Sequence, residues 1–154
     1  MKNTYNLVSD IYKLVESKEV AEGVDIDACI EKFGENVKDL MRKEFKEVRD
    51  DSRKLRMSNI GRKDKFLWSV YNDVDKGEDI TPPTYVKFLY GHIIEELLLF
   101  LTRAAGHTVT DEQKKCEVNG IKGSMDCKID GIVTDVKSAS TFAFKKFRDG
   151  TLLL

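Results

Sequence analysis

The chain has 154 residues, of which 41% are hydrophobic and 34% charged, a composition typical of a single globular, helix-rich domain. Its formal net charge is −1, so no overall positive charge indicates nucleic-acid binding, although a local basic patch can still contact phosphates. The longest apolar run, Leu97 to Leu101, is far too short to span a membrane.

The three cysteines, Cys29, Cys116 and Cys127, form no C-x-x-C pair, and their odd number fits a disulfide framework poorly. Three thiolates are also too few for an iron–sulfur cluster. We therefore expect reduced cysteines in an intracellular, cytoplasmic protein, located in the host cell if the source is viral.

The residues before Thr81-Pro82-Pro83 follow a helical pattern. Residues 4–18 repeat apolar side chains at helical spacing, and Asp25 or Asp27 is placed to cap a second helix. The apolar stripe of that second helix contains Ile30, Phe33, Val37, Leu40, Met41 and Phe45. This pattern predicts a helical N-terminal region over residues 1–81.

Residues 41–65 are rich in Lys and Arg, with ten basic and five acidic side chains. Such a stretch is either a solvated helix face with ion pairs along it or a surface that contacts phosphates. Trp68 and Tyr71 follow it, and we expect them to belong to the core, with a base-stacking platform as the alternative.

A strong helix is predicted from about residue 84 to residue 105, ending at Gly106, which is a preferred residue after a helix. Its apolar content is high enough for burial on most sides. Glu95 and Glu96 lie within this apolar stretch, where a charged carboxylate is costly unless it is paired or binds a metal. We expect at least one of the two to point to solvent.

Beyond residue 112 the apolar residues alternate with a period of two. Asn119-Gly120 and Asp130-Gly131 are both preferred pairs for two-residue type I′ hairpin loops. The sequence therefore predicts three antiparallel strands, at about 113–118, 121–129 and 132–137.

The second hairpin loop, Asp130-Gly131, fixes a register. Counting back from it puts Asp126 opposite Asp135, and Ser124 opposite Lys137. Strand alternation places these side chains on one face, whereas the other, mostly apolar face holds Met125, Cys127, Ile129, Ile132, Thr134 and Val136.

Two aspartates directly opposite each other destabilise a sheet, because their like charges repel. A hard divalent cation such as Mg²⁺ or Mn²⁺ removes this repulsion, and Lys137 would then stand beside the cation. The alternative is an exposed face of an edge hairpin with scattered charges and no bound metal.

Three segments together resemble the PD-(D/E)xK nuclease superfamily, especially its RecB-like and phage-exonuclease branches. They are Gly91-His92-Ile93-Ile94-Glu95 in the long helix, Gly123-Ser124-Met125-Asp126, and Asp135-Val136-Lys137-Ser138. The resemblance covers about residues 85–148. It implies a restriction-endonuclease-like core in residues 82–154, a helix packed on an antiparallel hairpin sheet, and hence an α+β fold.

The resemblance also implies roles for single residues. Glu95, Asp126 and Asp135 would hold Mg²⁺ or Mn²⁺, the carbonyl of Val136 would add a ligand, and Lys137 would be the catalytic lysine. Glu96 is a weaker candidate than Glu95, because the spacing from Gly91 favours Glu95. A looser similarity around residues 58–62 predicts nucleic-acid contacts, which together with neighbouring positions gives Ser58, Arg62, Lys63 and Ser138.

One departure from the family pattern concerns the C-terminal side. The branches named above follow the lysine strand with a helix bearing Gln and Tyr and then another strand, whereas no Gln follows Lys137 here. We therefore expect a core truncated at its C-terminus, completed by self-association or by a partner.

The function implied is metal-dependent hydrolysis of phosphodiester bonds, with DNA as the substrate and an exonuclease-like activity. The alternative is a non-catalytic nucleic-acid-binding or assembly module that keeps a degenerate nuclease fold. A third interpretation, a helical interaction protein with an incidental hairpin, predicts no divalent-metal binding.

Overall fold

The computed structural model describes residues 2–46, 55–72 and 80–151, and it has an α+β architecture. The helices are a 3-10 turn Thr4–Asn6, α1 Leu7–Ser17, α2 Ile26–Lys46, a 3-10 turn Met57–Asn59, α3 Asp64–Tyr71, α4 Pro82–Ala104 and α5 Thr141–Arg148. The strands are β1 Val109–Thr110, β2 Lys115–Val118, β3 Ile121–Ser124, β4 Cys127–Ile129 and β5 Ile132–Thr134.

The first two helices form where the apolar spacing predicts them. The backbone N–H of Ala28 donates to the side-chain Oδ1 of Asp25 at 3.0 Å, so Asp25 rather than Asp27 caps α2. Both helices pack against α4, and the rings of Phe33 and Phe100 lie 5.7 Å apart between α2 and α4. The N-terminal helices therefore cover one side of the long helix.

The long helix α4 begins two residues earlier than predicted, because prolines are favoured in the first turn of a helix, where the backbone N–H groups have no partner. After α4 the chain changes direction at Gly106, which has φ +84°. A Cβ added at this residue would lie 2.8 Å from the Cβ of Ala21. The expectation of burial on most sides is wrong: one face remains exposed, with Val86 49%, Tyr90 65%, Ile94 45% and Leu97 44% accessible.

Both predicted hairpin loops are present. Asn119 and Gly120 have φ +50° and +78°, and Asp130 and Gly131 have φ +50° and +83°, as a type I′ turn requires. The register derived from the second loop is confirmed, since Cys127 pairs with Thr134 and Ile129 with Ile132.

The prediction of one continuous strand over residues 121–129 is wrong. The segment is broken after Ser124, so that β3 pairs with β2 in a two-stranded sheet and β4 lies between β1 and β5 in a three-stranded sheet. The three-stranded sheet thus uses β1, which alternation did not reveal because it has only two residues.

The core lies between α4 and the three-stranded sheet. Leu99, Cys127 and Ile129 are buried there, and Leu7 and Val109 pack against them. The two buried residues of β4 confirm the apolar face predicted for the second hairpin, whereas Ile132 on the edge strand is 54% exposed.

A buried histidine ties the N-terminal helix to the second hairpin. His107 Nδ1 lies 2.7 Å from Oδ2 of Asp130, and its Nε2 lies 3.3 Å from Oδ2 of Asp10 on α1. Asp130 also accepts a hydrogen bond from the backbone N–H of Thr108 at 3.0 Å. The side chain of His107 is completely buried, so these contacts fix α1 to the loop at residue 130.

Cys29, Cys116 and Cys127 are all free, and Cys116 is exposed, with its thiol 3.4 Å from the sulfur of Met57. Of the helices in residues 2–46, 55–72 and 80–151, none has both the length and the apolarity needed to span a bilayer.

Candidate metal and phosphate site

Asp126 lies at the point where the chain leaves one sheet and enters the other. Its carbonyl oxygen accepts a hydrogen bond from the backbone N–H of Gln113 at 2.8 Å, which continues the β2–β3 pairing. Its side-chain Oδ2 accepts a hydrogen bond from the backbone N–H of Val136 at 2.9 Å, beyond the last β4–β5 pair. Asp126 is therefore held by Gln113 just before β2 and by Val136 just after β5, which orients its carboxylate.

Glu95 approaches this carboxylate from α4. Its side chain is only 14% exposed, and burial raises its pKa above the ordinary value, as does the nearby negative charge of Asp126. Oε1 of Glu95 accepts a hydrogen bond from the side-chain amide of Gln113 at 2.8 Å, while Oε2 lies 3.9 Å from His92 Nδ1.

The thiol of Cys127 reports the same negative environment. Burial, together with the charges of Asp126 and Glu95, raises its pKa to about 11. A buried thiol with two carboxylates nearby is disfavoured as a thiolate. The region between α4 and the start of β4 is therefore one in which positive charge is stabilised.

The pair Asp135 and Lys137 is arranged differently from the prediction. The Nζ of Lys137 lies 2.9 Å from Oδ1 of Asp135, and the side chains are 77% and 61% exposed, respectively. The hydrogen bond to Asp135 raises the pKa of Lys137, with further contributions from Asp126 and Glu95. Lys137 is thus a protonated cation at neutral pH.

Two adjoining clefts meet at the acidic pair. The larger has a volume of about 600 Å³ and the smaller about 450 Å³, and five residues line both: Glu44, His92, Glu95, Gln113 and Asp126. The larger cleft also contains Val136, Lys137 and Ser138. The smaller one has Lys32, Lys43, Lys115 and Ser124 on its walls.

The structure therefore brings together Glu95, Asp126, Val136, Lys137 and Ser138 around the larger cleft. Asp135 lines neither cleft, and the β4–β5 pairing ends at Cys127 and Thr134, one position before Asp126 and Asp135. The segment that carries Lys137 passes close to α4 at Gly91, where an added Cβ would lie 3.4 Å from the Ser138 hydroxyl oxygen.

The cleft offers two carboxylates that could hold a small, hard cation together with water. Within the described ranges, no group of three or more His, Cys, Asp or Glu side chains is arranged to hold a metal ion. Mg²⁺, however, is commonly bound by one or two carboxylates, with waters and substrate phosphates as the remaining ligands. Glu95 and Asp126 supply two such carboxylates at the cleft.

Glu96 is also partly buried rather than exposed, so the expectation that Glu95 or Glu96 points to solvent is wrong. Its Oε2 accepts a hydrogen bond from the side-chain amide of Asn36 on α2 at 2.7 Å. Each carboxylate therefore has an amide partner, from a different part of the chain.

The other predicted nucleic-acid contacts lie away from the clefts. Ser58 is in the 3-10 turn Met57–Asn59, which packs against β3, and Arg62 lies 5.9 Å from the ring centre of Phe66. Lys63 precedes α3 and is exposed. In the basic stretch 41–65, Arg49, Arg53 and Lys54 lie outside the described residues.

The aromatic residues after this stretch do not belong to the core. Trp68 is 60% and Tyr71 74% exposed, so the expectation of burial is wrong. Their helix α3 has only eight residues, which is too short to bury both rings while Leu67 and Val70 face inward. The exposed rings leave the base-stacking alternative open.

The helix α5, just beyond Lys137, carries aromatic and basic side chains. Phe142, Phe144 and Phe147 are 69%, 56% and 68% exposed, and the Nζ of Lys146 lies 4.5 Å from the ring centre of Phe142. Its last turn also contains Lys145 and Arg148. Sequence analysis did not assign this helix a binding role, although its spacing of Phe and Lys was visible.

Gln113 is a second residue that sequence analysis missed. The first loop, Asn119-Gly120, pairs Lys115 with Ser124, and the same count puts Gln113 opposite Asp126. That register could have identified it before the structure was known.

Comparison with protein-family models, with curated proteins and with solved structures found no match to this chain.

Proposed function

We propose that this protein is a Mg²⁺- or Mn²⁺-dependent nuclease that hydrolyses phosphodiester bonds in DNA. The observation that carries the proposal is the convergence of Glu95, Asp126 and Lys137 on one cleft. Two carboxylates beside a cation suit a bound divalent metal next to a phosphate.

Glu95 and Asp126 would hold the metal ion, which supplies Lewis-acid chemistry and an activated water when bound. The hydrogen bond from Val136 to Asp126 fixes one carboxylate oxygen and leaves Oδ1 as the more available one. In the proposal, Asp126 is thus a pre-oriented ligand. The carbonyl of Val136, the residue that donates to Asp126, would add a further ligand.

Lys137 would act as a cation rather than as a base, since the direction of its pKa shift keeps it protonated. Its ammonium group neutralises negative charge that develops on the phosphate oxygens during hydrolysis. Asp135, bound to Lys137 at 2.9 Å, would position this ammonium. A ligand role for Asp135 stays a prediction, and it requires Asp135 to exchange Lys137 for the metal.

The exposed aromatic and basic side chains of α5 would add substrate contacts. Single-stranded nucleic acids bind to positively charged surfaces on which aromatic rings stack with bases. The helix starts four residues after Lys137, so a strand bound at the cleft would reach it. Ser138 at the cleft wall would donate a hydrogen bond to a phosphate oxygen.

The experiment that tests the proposal is cleavage of end-labelled single- and double-stranded DNA and RNA in the presence of Mn²⁺, Mg²⁺ or EDTA. We expect cleavage with either metal and none with EDTA. Wild-type protein compared with Lys137→Ala and Asp126→Asn, purified in parallel, distinguishes the protein's own activity from a contaminant. Equal cleavage by all three preparations would contradict the proposal.

A second candidate is a nucleic-acid-binding module without catalytic activity. The observation that favours it is the position of Asp135, whose carboxylate pairs with Lys137 and lines neither cleft. This candidate predicts metal-independent retention of DNA in a gel-shift assay, with no cleavage under any metal.

A further inference from the structure

Gln113 connects the two carboxylates of the cleft through two separate hydrogen bonds. Its backbone N–H donates to the carbonyl oxygen of Asp126 at 2.8 Å, and its side-chain Nε2 donates to Oε1 of Glu95 at 2.8 Å. A single residue therefore ties the segment between β3 and β4, which carries Asp126, to the helix that carries Glu95.

The backbone at Gln113 adopts an unfavourable conformation to make these contacts. Its φ is +47°, in the left-handed region that non-glycine residues rarely occupy. Two residues earlier, Asp111 also has a positive φ, +54°, and its carboxylate pairs with Lys114 and Lys128. The turn that delivers the Gln113 amide to the cleft is thus held by local ion pairs.

The contact has an electrostatic effect on Glu95. Burial and the charge of Asp126 raise the pKa of Glu95, and the hydrogen bond from Gln113 opposes this by stabilising the charged form. Since Oε1 is engaged by the amide, the Glu95 carboxylate has a fixed rotation and directs Oε2 away from Gln113.

We infer that Gln113 is a positioning residue for the metal site: its hydrogen bond fixes the rotation of the Glu95 carboxylate, so that Oε2 is the oxygen offered to a divalent cation. The inference rests on the proposed function. Partners that orient metal ligands in this way commonly change metal affinity by about 10- to 100-fold when they are removed.

The chain offers a matched control at the neighbouring carboxylate. Asn36 donates its side-chain amide to Glu96 at 2.7 Å, which is the same chemistry one residue further along α4. Asn36→Ala removes an amide–carboxylate bond of the same kind without touching Glu95. A general loosening of α4 would affect both variants, whereas positioning of Glu95 would affect only Gln113 variants.

The test is calorimetric titration of the intact chain with Mn²⁺ alone, at neutral pH. The variants are Gln113→Asn, which tolerates the left-handed backbone but is one methylene shorter, and Gln113→Gly, which removes the side chain at a conformation glycine prefers. We expect a Mn²⁺ affinity about 10-fold or more below wild type for both. The electron paramagnetic resonance spectrum of the bound Mn²⁺ should also change in both, because the Glu95 carboxylate is no longer held in one rotation.

Asn36→Ala should bind Mn²⁺ with the affinity and the spectrum of wild type. If wild-type protein binds no Mn²⁺, the proposed metal site itself is overturned. If wild type binds and both Gln113 variants keep its affinity and its spectrum, only the positioning role is overturned. A melting temperature measured for every variant identifies any that does not fold, and the other Gln113 variant then decides.

Discussion

The side-chain Oδ2 of Asp126 accepts a hydrogen bond from the backbone N–H of Val136 at 2.9 Å. This bond takes the place of backbone pairing beyond the last residues of β4 and β5, where the ladder has ended at Cys127 and Thr134. It brings the segment that carries Lys137 to the Asp126 carboxylate, while the Asp135 side chain is 61% exposed and pairs with Lys137. The bond from Val136 thus holds Asp126, and not Asp135, at the cleft.

Replacement of Lys137 by alanine tests the proposed chemistry. We expect Lys137→Ala to reduce metal-dependent cleavage by about 100-fold or more, because a group that stabilises transition-state charge is lost. Mn²⁺ affinity and the melting temperature should change little, since the lysine side chain is 77% exposed. Single-turnover cleavage rates and a Mn²⁺ titration measure the two effects separately.

Lys122→Ala is the control for that experiment, because Lys122 is an exposed lysine of β3 that lines neither cleft. Its cleavage rate should match that of wild type. An equal fall in both variants would indicate a general loss of substrate attraction instead of a specific role for Lys137.

Two substitutions at Asp126 separate its charge from its hydrogen bond. Asp126→Asn keeps an oxygen that accepts from Val136 and removes the repulsion with Glu95, so the metal-free protein should melt at or above the wild-type temperature. Asp126→Ala leaves the Val136 N–H without its partner and should cost about 1–3 kcal/mol in the free energy of unfolding. Thermal denaturation without metal measures both.

Both Asp126 variants should also lose most of the stabilisation by Mn²⁺. For wild type, a ligand at a hundredfold excess over its Kd adds roughly 2.7 kcal/mol to the free energy of unfolding. An Asp126→Asn protein that still gains the full increase with Mn²⁺ would show that Asp126 is no ligand.

The raised pKa of Glu95 predicts a pH dependence of stability. The folded state binds the Glu95 proton more tightly than the unfolded state, so this group's contribution falls as pH rises from about its unfolded pKa through its folded pKa. Glu95→Gln keeps the acceptor for Gln113 and removes the charge. It should therefore melt higher than wild type at neutral pH and without metal.

The advantage of Glu95→Gln should shrink toward about pH 4, where the wild-type carboxyl is itself protonated. Denaturation over a pH series with EDTA present measures the difference. A constant difference across the series would mean that the charge of Glu95 is not what destabilises the folded chain. Glu96→Gln, measured in parallel, shows whether the effect is specific to position 95.

Removal of the buried histidine tests the link between α1 and the second hairpin. His107→Ala should destabilise the fold by about 3 kcal/mol or more, because Asp130 and Asp10 both lose a partner at a buried position. Urea denaturation measures the loss. Amide hydrogen exchange should show the greatest new opening in α1, and unchanged protection there would mean that the apolar contacts of Leu7 hold α1 by themselves.

The carboxylates of this link give a second pH dependence, opposite in sign to that of Glu95. The pKa values of Asp10 and Asp130 are both lowered. For Asp10 the largest cause is the hydrogen bond from Lys2. For Asp130, burial acts to raise the pKa, but the contacts with His107 and the Thr108 N–H outweigh it. Their stabilisation is present above the ordinary aspartate pKa and is lost as pH falls through the lowered values. The free energy of unfolding of Asp130→Asn should therefore be lower than that of wild type at neutral pH. It should also fall less steeply with acidification below about pH 4.

Local chemistry determined much of this fold directly from the sequence. Asn119-Gly120 and Asp130-Gly131 specify type I′ loops because few other residues accept positive φ at both positions, and each loop then sets the register of its hairpin. Periodic apolar spacing located α1, α2 and α4, because each of these helices buries one apolar face. The hairpin register placed Asp126 and Lys137 on one face, whereas only the family resemblance implied that Glu95 lies beside them.

Only the tertiary structure decided how the strands continue and which side chains meet. A period of two cannot show that residues 121–129 change sheets at Met125-Asp126, because both halves alternate in the same way. The turn at Asp126 directs its carboxylate toward Glu95 on α4. The Asp135 side chain instead turns toward solvent and Lys137.

 

The exposed positions of Trp68, Tyr71 and the phenylalanines of α5 were likewise decided in three dimensions. Burial depends on which elements pack together, and composition alone does not fix the partners of a short amphipathic helix. Gln113 is the clearest case at the site, because its contact with Glu95 joins residues 18 positions apart in a helix and a turn. The sequence therefore determined the local elements and their registers, whereas long-range packing decided which carboxylates, amides and cations share the cleft.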